Sequence, residues 1–249
     1  MKLKTLEGHL GSISGFSKPK IQLEQYETPA HIAAVALYTI QTQYSSIEDK
    51  LVLDAGCGPG MLSVGAALLG AGTVVGVDID DNAIEVLKDN IEDIELTNVD
   101  AVLCDFLSPN LLKWNNYFDT VLMNPPFGTK NNVGMDMKFL RMGLDLTSDS
   151  VFSLHKSSTR SHIQKKVKEW NAKDILVVAK FDVLCEFNGS RVVDSNCRAT
   201  HIALPGVRPT LAAAARSLFA SEGSTDLRAV GWDIYIHDAA IRPVRTNPL

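Results

Sequence analysis

The sequence predicts an α/β fold with a mostly parallel, doubly wound sheet, in which strands alternate with helices along the chain. Three observations lead to this prediction. Short apolar runs of strand length alternate with stretches of helical periodicity between residues 28 and 181. Several of these runs end at an acidic residue or an asparagine, and a glycine-rich turn follows the first of them. Parallel strands joined by helices produce this alternation, and 249 residues suffice for one large domain with a short appendage.

The predicted elements follow one another in a regular order. Thr28 and Pro29 predict a helix start, because a capping hydroxyl precedes a proline at the first helical position. Apolar residues at helical spacing continue this helix to residue 40 and predict further helices over residues 61–69, 80–93, 137–144 and 161–170. Apolar and β-branched runs predict strands over residues 51–53, 73–77, 99–104, 119–123, 151–154 and 175–181.

The regular pattern ends near residue 184. Beyond it the chain contains scattered Gly, Pro, Ser and Arg, an alanine-rich stretch, "TLAAAARSLFA", and one alternating run, "WDIYIH", at residues 232–237. We therefore expect a folded domain over residues 1–183 and an atypical, weakly ordered C-terminal tail over residues 184–249 with one short helix.

Composition and charge argue against several classes of function. The net charge is −5, so any contact with nucleic acid must be local rather than a consequence of overall charge. Four widely spaced cysteines without a C-x-x-C pair indicate a reducing compartment and no metal site. The uncharged stretch at residues 55–77 is interrupted by glycines and predicts a loop, a helix and a strand rather than a membrane span. We find no signal peptide or strong localisation signal and expect the protein in nucleus and cytoplasm.

The first candidate site is the glycine-rich turn in "LVLDAGCGPG". Gly56, Gly58 and Gly60 follow a strand and precede a helix, where glycine lets the backbone approach a ligand closely. The spacing G-x-G-x-G differs from the dinucleotide fingerprint, and the lysine of a P-loop is missing. Asp54, beside the turn, favours a ligand with an ammonium or a sulfonium over a diphosphate. Glycine-rich turns occur in many folds, so this turn alone does not decide the ligand.

Acidic residues at the ends of the next two strands complete the pattern. Asp78 ends the second strand and is placed to accept hydrogen bonds from both ribose hydroxyls of a nucleoside. Asp105 and Phe106 end the third, where the carboxylate suits an adenine amino group and the ring suits the base. Together with the glycine-rich turn, these residues predict S-adenosylmethionine as the cofactor.

The second candidate site is "NPPF", Asn124 to Phe127, at the end of the fourth strand. The Asn124 side chain and the Pro125 carbonyl are placed to accept one hydrogen each from a planar amine, which frees the nitrogen lone pair toward the cofactor methyl group. Pro126 makes the corner rigid, and Phe127 suits stacking on a base presented out of its stack. A plain turn is the alternative reading of N-P-P, but its position behind the glycine-rich turn favours catalysis.

A basic segment, "HKSSTRSHIQKKVKEWNAK", covers residues 155–173 of an otherwise acidic protein. It is a candidate contact for an RNA backbone, with a solvated helix face as the alternative. Its two histidines lack metal-site spacing. The candidate RNA-contacting residues here and in the loop after Phe127 are Lys130, Lys156, Arg160, Lys165 and Lys166.

Five stretches together resemble the methyltransferase-like protein five family: "KPKIQLEQYETPAHIAA", "DAGCGPGMLS", "VDID", "MNPPFGTKNN" and "SLHKSSTR". Members of this family use S-adenosylmethionine to methylate N6 of one adenosine in 18S ribosomal RNA. The resemblance covers residues 1–182 and implies a Rossmann-like class I methyltransferase fold of seven strands, the last antiparallel. With the turn described above, the expected cofactor-binding residues are Gln25, Thr28, Asp54, Gly56, Gly58, Pro59, Gly60, Met61, Asp78, Ile79, Asp105 and Phe106.

The resemblance also implies a partner and reveals a departure. The family works as a heterodimer with a small zinc-binding methyltransferase-activating adaptor, which fits an exposed sheet edge at the third strand. Its members end with a basic segment and a strand of alternating acidic and apolar residues. That ending is missing here, and we do not expect the run at 232–237 to replace it, so the sixth strand should be under-paired.

Three alternatives remain at this stage. The same N-P-P motif followed by an aromatic residue serves methylation of a glutamine amide in release factors and of adenine in DNA. Phe127 and the basic segment favour RNA only weakly, so the choice of RNA over a protein or DNA substrate rests mainly on the family resemblance. The third alternative is a non-catalytic scaffold, which the altered C-terminus favours and the intact Asn124 and Asp78 oppose.

Overall fold

The computed structural model describes residues 1–127, 132–170, 174–188, 191–192, 198–203 and 227–238. Its helices are α1 (Leu3–Leu10), α2 (Ala30–Thr39), α3 (Met61–Leu68), α4 (Asp81–Asp93), α5 (Met135–Leu146) and α6 (Arg160–Glu169). Its strands are β1 (Leu51–Ala55), β2 (Thr73–Asp78), β3 (Val99–Leu103), β4 (Phe118–Met123), β5 (Thr147–Lys156), β6 (Asp174–Asn188), β7 (Arg191–Val192), β8 (Arg198–Ala203) and β9 (Leu227–Asp238). The five predicted helices and six predicted strands are all present, and α1 is an additional helix.

The strands form one sheet in the order β3-β2-β1-β4-β5-β9-β6-β7, and β8 pairs with β6. Strands β1 to β5 are parallel to their neighbours. The order reverses between β1 and β4, which creates the switch point where α/β proteins of this type bind their ligands. The predicted mostly parallel, doubly wound sheet is therefore confirmed.

The C-terminal run "WDIYIH" lies inside the sheet, so the expectation that it would not complete the sheet is wrong. Strand β9 contains it and is inserted antiparallel between β5 and β6, with Ser153 opposite Tyr235 and Val177 opposite Tyr235. The insertion gives hydrogen-bonding partners to backbone groups of β5 and β6 that would otherwise be orphaned, and apolar, β-branched and aromatic residues suit a central strand.

The sheet also crosses the boundary predicted at residue 183. Strand β6 runs on to Asn188, and β7, β8 and β9 all come from the segment expected to be a tail. The described residues form nine strands, against the seven that the resemblance implies. The alanine-rich stretch of the tail lies outside the described residues, so the one short helix expected in the tail stays a prediction.

Helices cover both faces of the sheet. Neighbouring residues on a strand point to opposite faces, so Leu122 packs in the cluster that contains Leu6 of α1, and Val121 packs in the cluster that contains Leu140 of α5 and Ile163 of α6. Among the described residues, no helix combines the length and the apolar character that crossing a bilayer requires. The two-sided core fixes the strand ends, and with them the site described below.

Tyr235→Ala tests whether β9 belongs to the cooperative core. The Tyr235 side chain is 0% exposed, and its ring packs edge-on against His155 with 5.6 Å between ring centroids. We expect the free energy of unfolding, measured by urea titration, to fall by about 3–5 kcal/mol, as for other buried aromatic side chains replaced by alanine. Tyr117→Ala, at a tyrosine that is 53% exposed, is the control and should cost much less. Equal losses in the two variants would contradict a core position for β9.

Candidate active site

A cleft lies at the edge of the sheet where the parallel strands end. Gly56 after β1, Asp78 at the end of β2 and Asn124 after β4 all line it. The cleft consists of two adjoining cavities of about 60 and 250 Å³, which share Phe16, Tyr26, Gly56 and Asn124 in their walls. The glycine-rich turn and the N-P-P-F motif, which are about seventy residues apart in sequence, therefore meet at one place.

Most of the predicted cofactor residues line one of these two cavities. The larger cavity is lined by Gln25, Gly56, Asp78, Ile79, Asp105 and Phe106. The smaller cavity is lined by Thr28, Asp54, Gly56, Gly58, Pro59 and Met61. Gly60 lines neither cavity. It has φ +97°, a backbone conformation that favours glycine, and a Cβ atom there would also collide with a Cδ atom of Leu87 in α4.

The glycine-rich turn is fixed by backbone hydrogen bonds to the neighbouring strand. The amides of Gly56 and Cys57 both donate to the carbonyl oxygen of Val77, at distances of 2.8 and 3.0 Å. Gly58 has φ +52°, and a Cβ atom there would lie 2.7 Å from Cζ of Phe16. Glycine is therefore needed where the turn passes under the Phe16 ring.

Asp54 is a buried carboxyl group at the floor of the smaller cavity. Its side chain accepts a 2.6 Å hydrogen bond from Oγ of Ser63, and the residue is 1% exposed. Burial raises the pKa of Asp54 to about 7, the Ser63 hydrogen bonds lower it in part, and the nearby Asp78 carboxylate raises it further. A cationic ligand beside Asp54 would reverse this shift, because it stabilises the carboxylate.

Asp78 is held by two backbone amides at the end of β2. Its Oδ2 accepts from the amide of Gly58 and its Oδ1 from the amide of Asp80, both at 2.9 Å. Burial nevertheless raises the pKa of Asp78, and these amide hydrogen bonds offset only part of the effect. The carboxylate orientation is thus fixed before any ligand arrives.

Asp105 and Phe106 stand at the end of β3. The Asp105 carboxylate is exposed and accepts a hydrogen bond from the amide of Leu107 at 2.9 Å. Phe106 is buried and packs against Phe139 of α5, with 5.0 Å between ring centroids. The polar and apolar groups expected around an adenine are therefore side by side on the wall of the larger cavity.

Asn124 has a fixed side chain with one unused acceptor. Its Nδ2 donates to Oγ1 of Thr28 at 2.9 Å, and its Oδ1 is buried without a hydrogen-bond partner among the described residues. A buried amide oxygen without a partner is costly, so it points to a donor that a ligand would supply. Thr28 is predicted as the cap of α2, which is wrong: Pro29 occupies that position, no side chain caps the helix, and the Thr28 hydroxyl serves Asn124 instead.

The other residues of the motif differ in exposure. Pro125 is buried, Pro126 lines the larger cavity, and the Phe127 ring is half-buried with Nζ of Lys156 5.3 Å from its centroid. Of the other basic candidates, Lys165 is exposed on α6 and Lys166 pairs with Glu169 at 2.9 Å. Arg160 begins α6, directly after the turn that follows Lys156, and Lys130 lies outside the described residues.

The structure adds three aromatic residues that the sequence analysis did not single out. Phe16 and Tyr26 line both cavities, and Phe139 lines the larger one. Tyr26 lies inside the stretch "KPKIQLEQYETPAHIAA", so the family resemblance of that stretch is a signal that could have identified it. Phe16 and Phe139 belong to no local pattern and reach the cleft only through tertiary packing.

Asp54→Asn tests the buried carboxyl group through its pH dependence. The folded protein holds this proton more tightly than the unfolded chain does, since the folded pKa is about 7 and an unperturbed aspartate titrates near pH 3.9. The stabilising effect of Asp54 is therefore complete below about pH 4 and lost as the pH rises through about 7. Asn keeps an acceptor for Ser63 and has no charge, so we expect it to stabilise the ligand-free protein by about 2.5 kcal/mol more at pH 8 than at pH 5.

Urea unfolding at the two pH values measures this difference. Asp93→Asn, at the exposed end of α4, is the matched control and should change stability equally at both pH values. A gain from Asp54→Asn that does not depend on pH would show that the buried carboxyl group does not titrate as described.

Comparisons with known proteins agree with this geometry. Residues 31–125 match the family model of the ribosomal protein L11 methyltransferase (PrmA). The rRNA N(6)-adenosine-methyltransferase METTL5 of Danio rerio is 50% identical over 184 residues, which cover 74% of this chain and 88% of that protein. The Drosophila melanogaster enzyme of the same name is 52% identical, with coverage of 71% and 83%. The crystal structure of PH1948 from Pyrococcus horikoshii superposes with a TM-score of 0.67 at 28% identity, over 95% of this chain and 97% of that one. The sheet is a Rossmann-like class I methyltransferase sheet, and the chain belongs to the METTL5 family of rRNA N6-adenosine methyltransferases.

Proposed function

We propose that this protein transfers a methyl group from S-adenosylmethionine to N6 of one adenosine in 18S ribosomal RNA. The observation that carries the proposal is the Asn124 amide at the junction of the two cavities, with Nδ2 held by Thr28 and Oδ1 buried and unpartnered. Membership of the METTL5 family supports the reaction and the RNA substrate. The choice of 18S RNA comes from the sequence resemblance described above.

The residues of the cleft fit S-adenosylmethionine. When bound, this cofactor supplies an electrophilic methyl group on a positively charged sulfur. The smaller cavity offers the close backbone of Gly58 and the buried Asp54 carboxyl group, whose raised pKa a nearby positive charge would lower again. Asp78 would hold the ribose, and Asp105 and Phe106 would hold the adenine.

The same geometry suits an adenine amine as the acceptor. The lone pair of that nitrogen is delocalised into the ring, so the site must hold both amine hydrogens to free it. Asn124 Oδ1 would accept one of them, and the carbonyl of Pro125 would accept the other. No side chain with a tuned pKa is needed, because the proton leaves to water after methyl transfer.

Phe127 would hold the flipped base by stacking, which is worth roughly 1–3 kcal/mol. Lys156 already lies over this ring, which places a positive charge where the RNA backbone would pass beside the flipped nucleotide. Arg160, Lys165, Lys166 and Lys130 would extend this contact. The Lys166–Glu169 pair is exposed and therefore weak enough for a phosphate to replace Glu169.

Asn124→Ala tests the mechanism. It removes an acceptor that is fixed before reaction, so we expect methyl transfer to fall about a hundredfold or more while cofactor affinity stays within a few fold of wild type. Rates are measured with labelled S-adenosylmethionine on 18S RNA, with a release-factor peptide and duplex DNA as competing substrates. We expect label only in N6-methyladenosine of the RNA.

Three other outcomes of this methyl-transfer assay would contradict different parts of the proposal. Normal transfer by the variant would overturn the role of Asn124. Label in the peptide or the DNA would replace the proposed substrate. A wild-type protein that binds cofactor but labels nothing would favour a scaffold.

We further propose that a small zinc-binding methyltransferase-activating adaptor binds this protein at β3. Among the described residues β3 pairs only with β2, so its other edge is open to an added strand. Val102 is 39% and Leu103 57% exposed on this strand, so two apolar side chains stand beside the open edge where an added strand would cover them.

Leu103→Glu tests this surface. The glutamate at position 103 would be buried beneath the strand that the adaptor adds. We therefore expect adaptor binding, measured by titration calorimetry, to weaken at least about tenfold. Leu112→Glu is the matched control, because Leu112 is 45% exposed but lies in the turn Pro109–Trp114 outside the edge strand. Equal affinity of the two variants would place the adaptor elsewhere.

A further inference from the structure

The segment between α1 and α2, residues 13–28, forms a strap across the mouth of the cleft. Its first leg contributes Ile13 to Phe16 to the wall of the smaller cavity, and its second leg contributes Tyr26 to Thr28. The Phe16 ring lies directly over Gly58 in the glycine-rich turn. A ligand in the smaller cavity would therefore be enclosed between this turn and the strap.

The two ends of the strap are fixed by neutral hydrogen bonds to the body of the protein. Asn90 of α4 accepts from the amide of Ser14 at 2.8 Å and donates to its carbonyl at 2.9 Å, and its Nδ2 also donates to the carbonyl of Pro59 in the turn. At the other end, the Thr28 hydroxyl accepts from Asn124. These contacts hold the ends but leave the middle of the strap to be fixed separately.

The ionic anchor of the middle is one buried carboxylate, Asp80, at the start of α4, and Asn132 adds hydrogen bonds to the Gln22 carbonyl at 3.0 Å and to Oε1 of Glu24 at 3.1 Å. Nζ of Lys20 lies 2.5 Å from its Oδ1, and Nε2 of Gln25 donates to its Oδ2 at 2.6 Å. The Asp80 side chain is 1% exposed and that of Lys20 is 42% exposed. Lys20 and Gln25 flank the short turn Ile21–Leu23, so both sides of the strap's bend are tied to this single group.

The charges of this contact reinforce each other. Burial by itself would raise the pKa of Asp80, but the hydrogen bonds from Lys20, Gln25 and Asn82 outweigh it and hold the pKa well below its ordinary value. The hydrogen bond to Asp80 raises the pKa of Lys20 in turn. Both groups therefore stay charged at neutral pH. This contact, together with the exposed Asp81 carboxylate 3.7 Å from Nζ of Lys20, provides the ionic attachment of the strap to α4.

Asp80 is also linked to the ribose-binding position. Its backbone amide donates to Oδ1 of Asp78, two residues earlier. A strap that is seated on Asp80 therefore contacts the same short segment that orients Asp78.

We propose that Lys20 and Asp80 form a latch that holds the strap closed over the cofactor cleft and so sets the rate at which the cofactor leaves. The inference rests on the proposed function, since it takes S-adenosylmethionine as the ligand under the strap. Lys20 is then a positioning residue, which acts through the strap and does not touch the reacting atoms.

Lys20→Met tests the latch, because it keeps the length of the side chain and removes its charge. We expect dissociation of S-adenosylmethionine and of S-adenosylhomocysteine, followed by stopped-flow fluorescence, to become about tenfold faster, as expected for the loss of a hydrogen bond between charged groups. Lys20→Arg should restore slow release. Lys18→Met, at an exposed lysine two residues away, is the matched control and should release the ligand at the wild-type rate.

Hydrogen exchange of the ligand-free protein provides a second readout that needs no cofactor. In Lys20→Met, amides of residues 13–28 should exchange faster while those of α1 keep their wild-type rates. In steady state, KM for the cofactor should rise and KM for RNA should not. These readouts separate a latch from a general loss of stability, which would raise exchange in α1 as well.

The outcomes distinguish the latch from the function on which it rests. A wild-type protein that binds no S-adenosylmethionine contradicts the proposed function, and the exchange measurement still tests the latch. A wild-type protein that binds the cofactor, together with a Lys20→Met variant of unchanged release rate and unchanged exchange, overturns the latch alone.

Discussion

The parallel pairing of β1 with both β2 and β4 is the constraint on which the site depends. Asp54 of β1 lies in register with Gly76 of β2 and with Leu122 of β4. Parallel strands in register end at the same edge, so the turn after β1, Asp78 and Asn124 must converge there. The core clusters on both faces hold this register, since a one-residue slip would turn Val121 and Leu122 to the wrong sides of the sheet.

The same convergence brings acidic groups together, and these groups differ in whether a cationic side chain is paired with them. Asp54 and Asp78 lie near each other with no cationic side chain of the described residues paired to either, and burial and mutual repulsion raise the pKa of Asp54. Asp80, only two residues from Asp78, has Lys20 as its partner and remains ionised. The cleft thus holds carboxyl groups that lack a cation beside one that already has it, which is an arrangement suited to a ligand that brings its own positive charge.

The sequence predicted those parts of the site that depend on the end of a single strand. Glycine after β1, the acids after β2 and β3 and the amide after β4 could be located because strand ends are local and their alignment follows from parallel pairing. It could not predict contacts across long sequence distances. The sequence around Thr28 indicates a helix cap, but in the fold its hydroxyl accepts a hydrogen bond from Asn124, ninety-six residues away. Likewise, "WDIYIH" is a single alternating run in the sequence, and only the fold shows that it pairs with both β5 and β6.

The strap and the catalytic amide are parts of one mechanical unit, because Thr28 belongs to both. The Asn124 side chain can direct Oδ1 into the cleft only while its Nδ2 has a partner that fixes the orientation of the amide, and that partner is the last residue of the strap. The first leg of the strap meanwhile covers the glycine-rich turn, and its bend rests on the segment that orients Asp78. The strap thus contributes to both halves of the site, because its bend and first leg enclose the cofactor position and its last residue orients the acceptor for the base. Since Asn124 holds that last residue independently of Asp80, opening the bend would release the cofactor while the amide stays oriented.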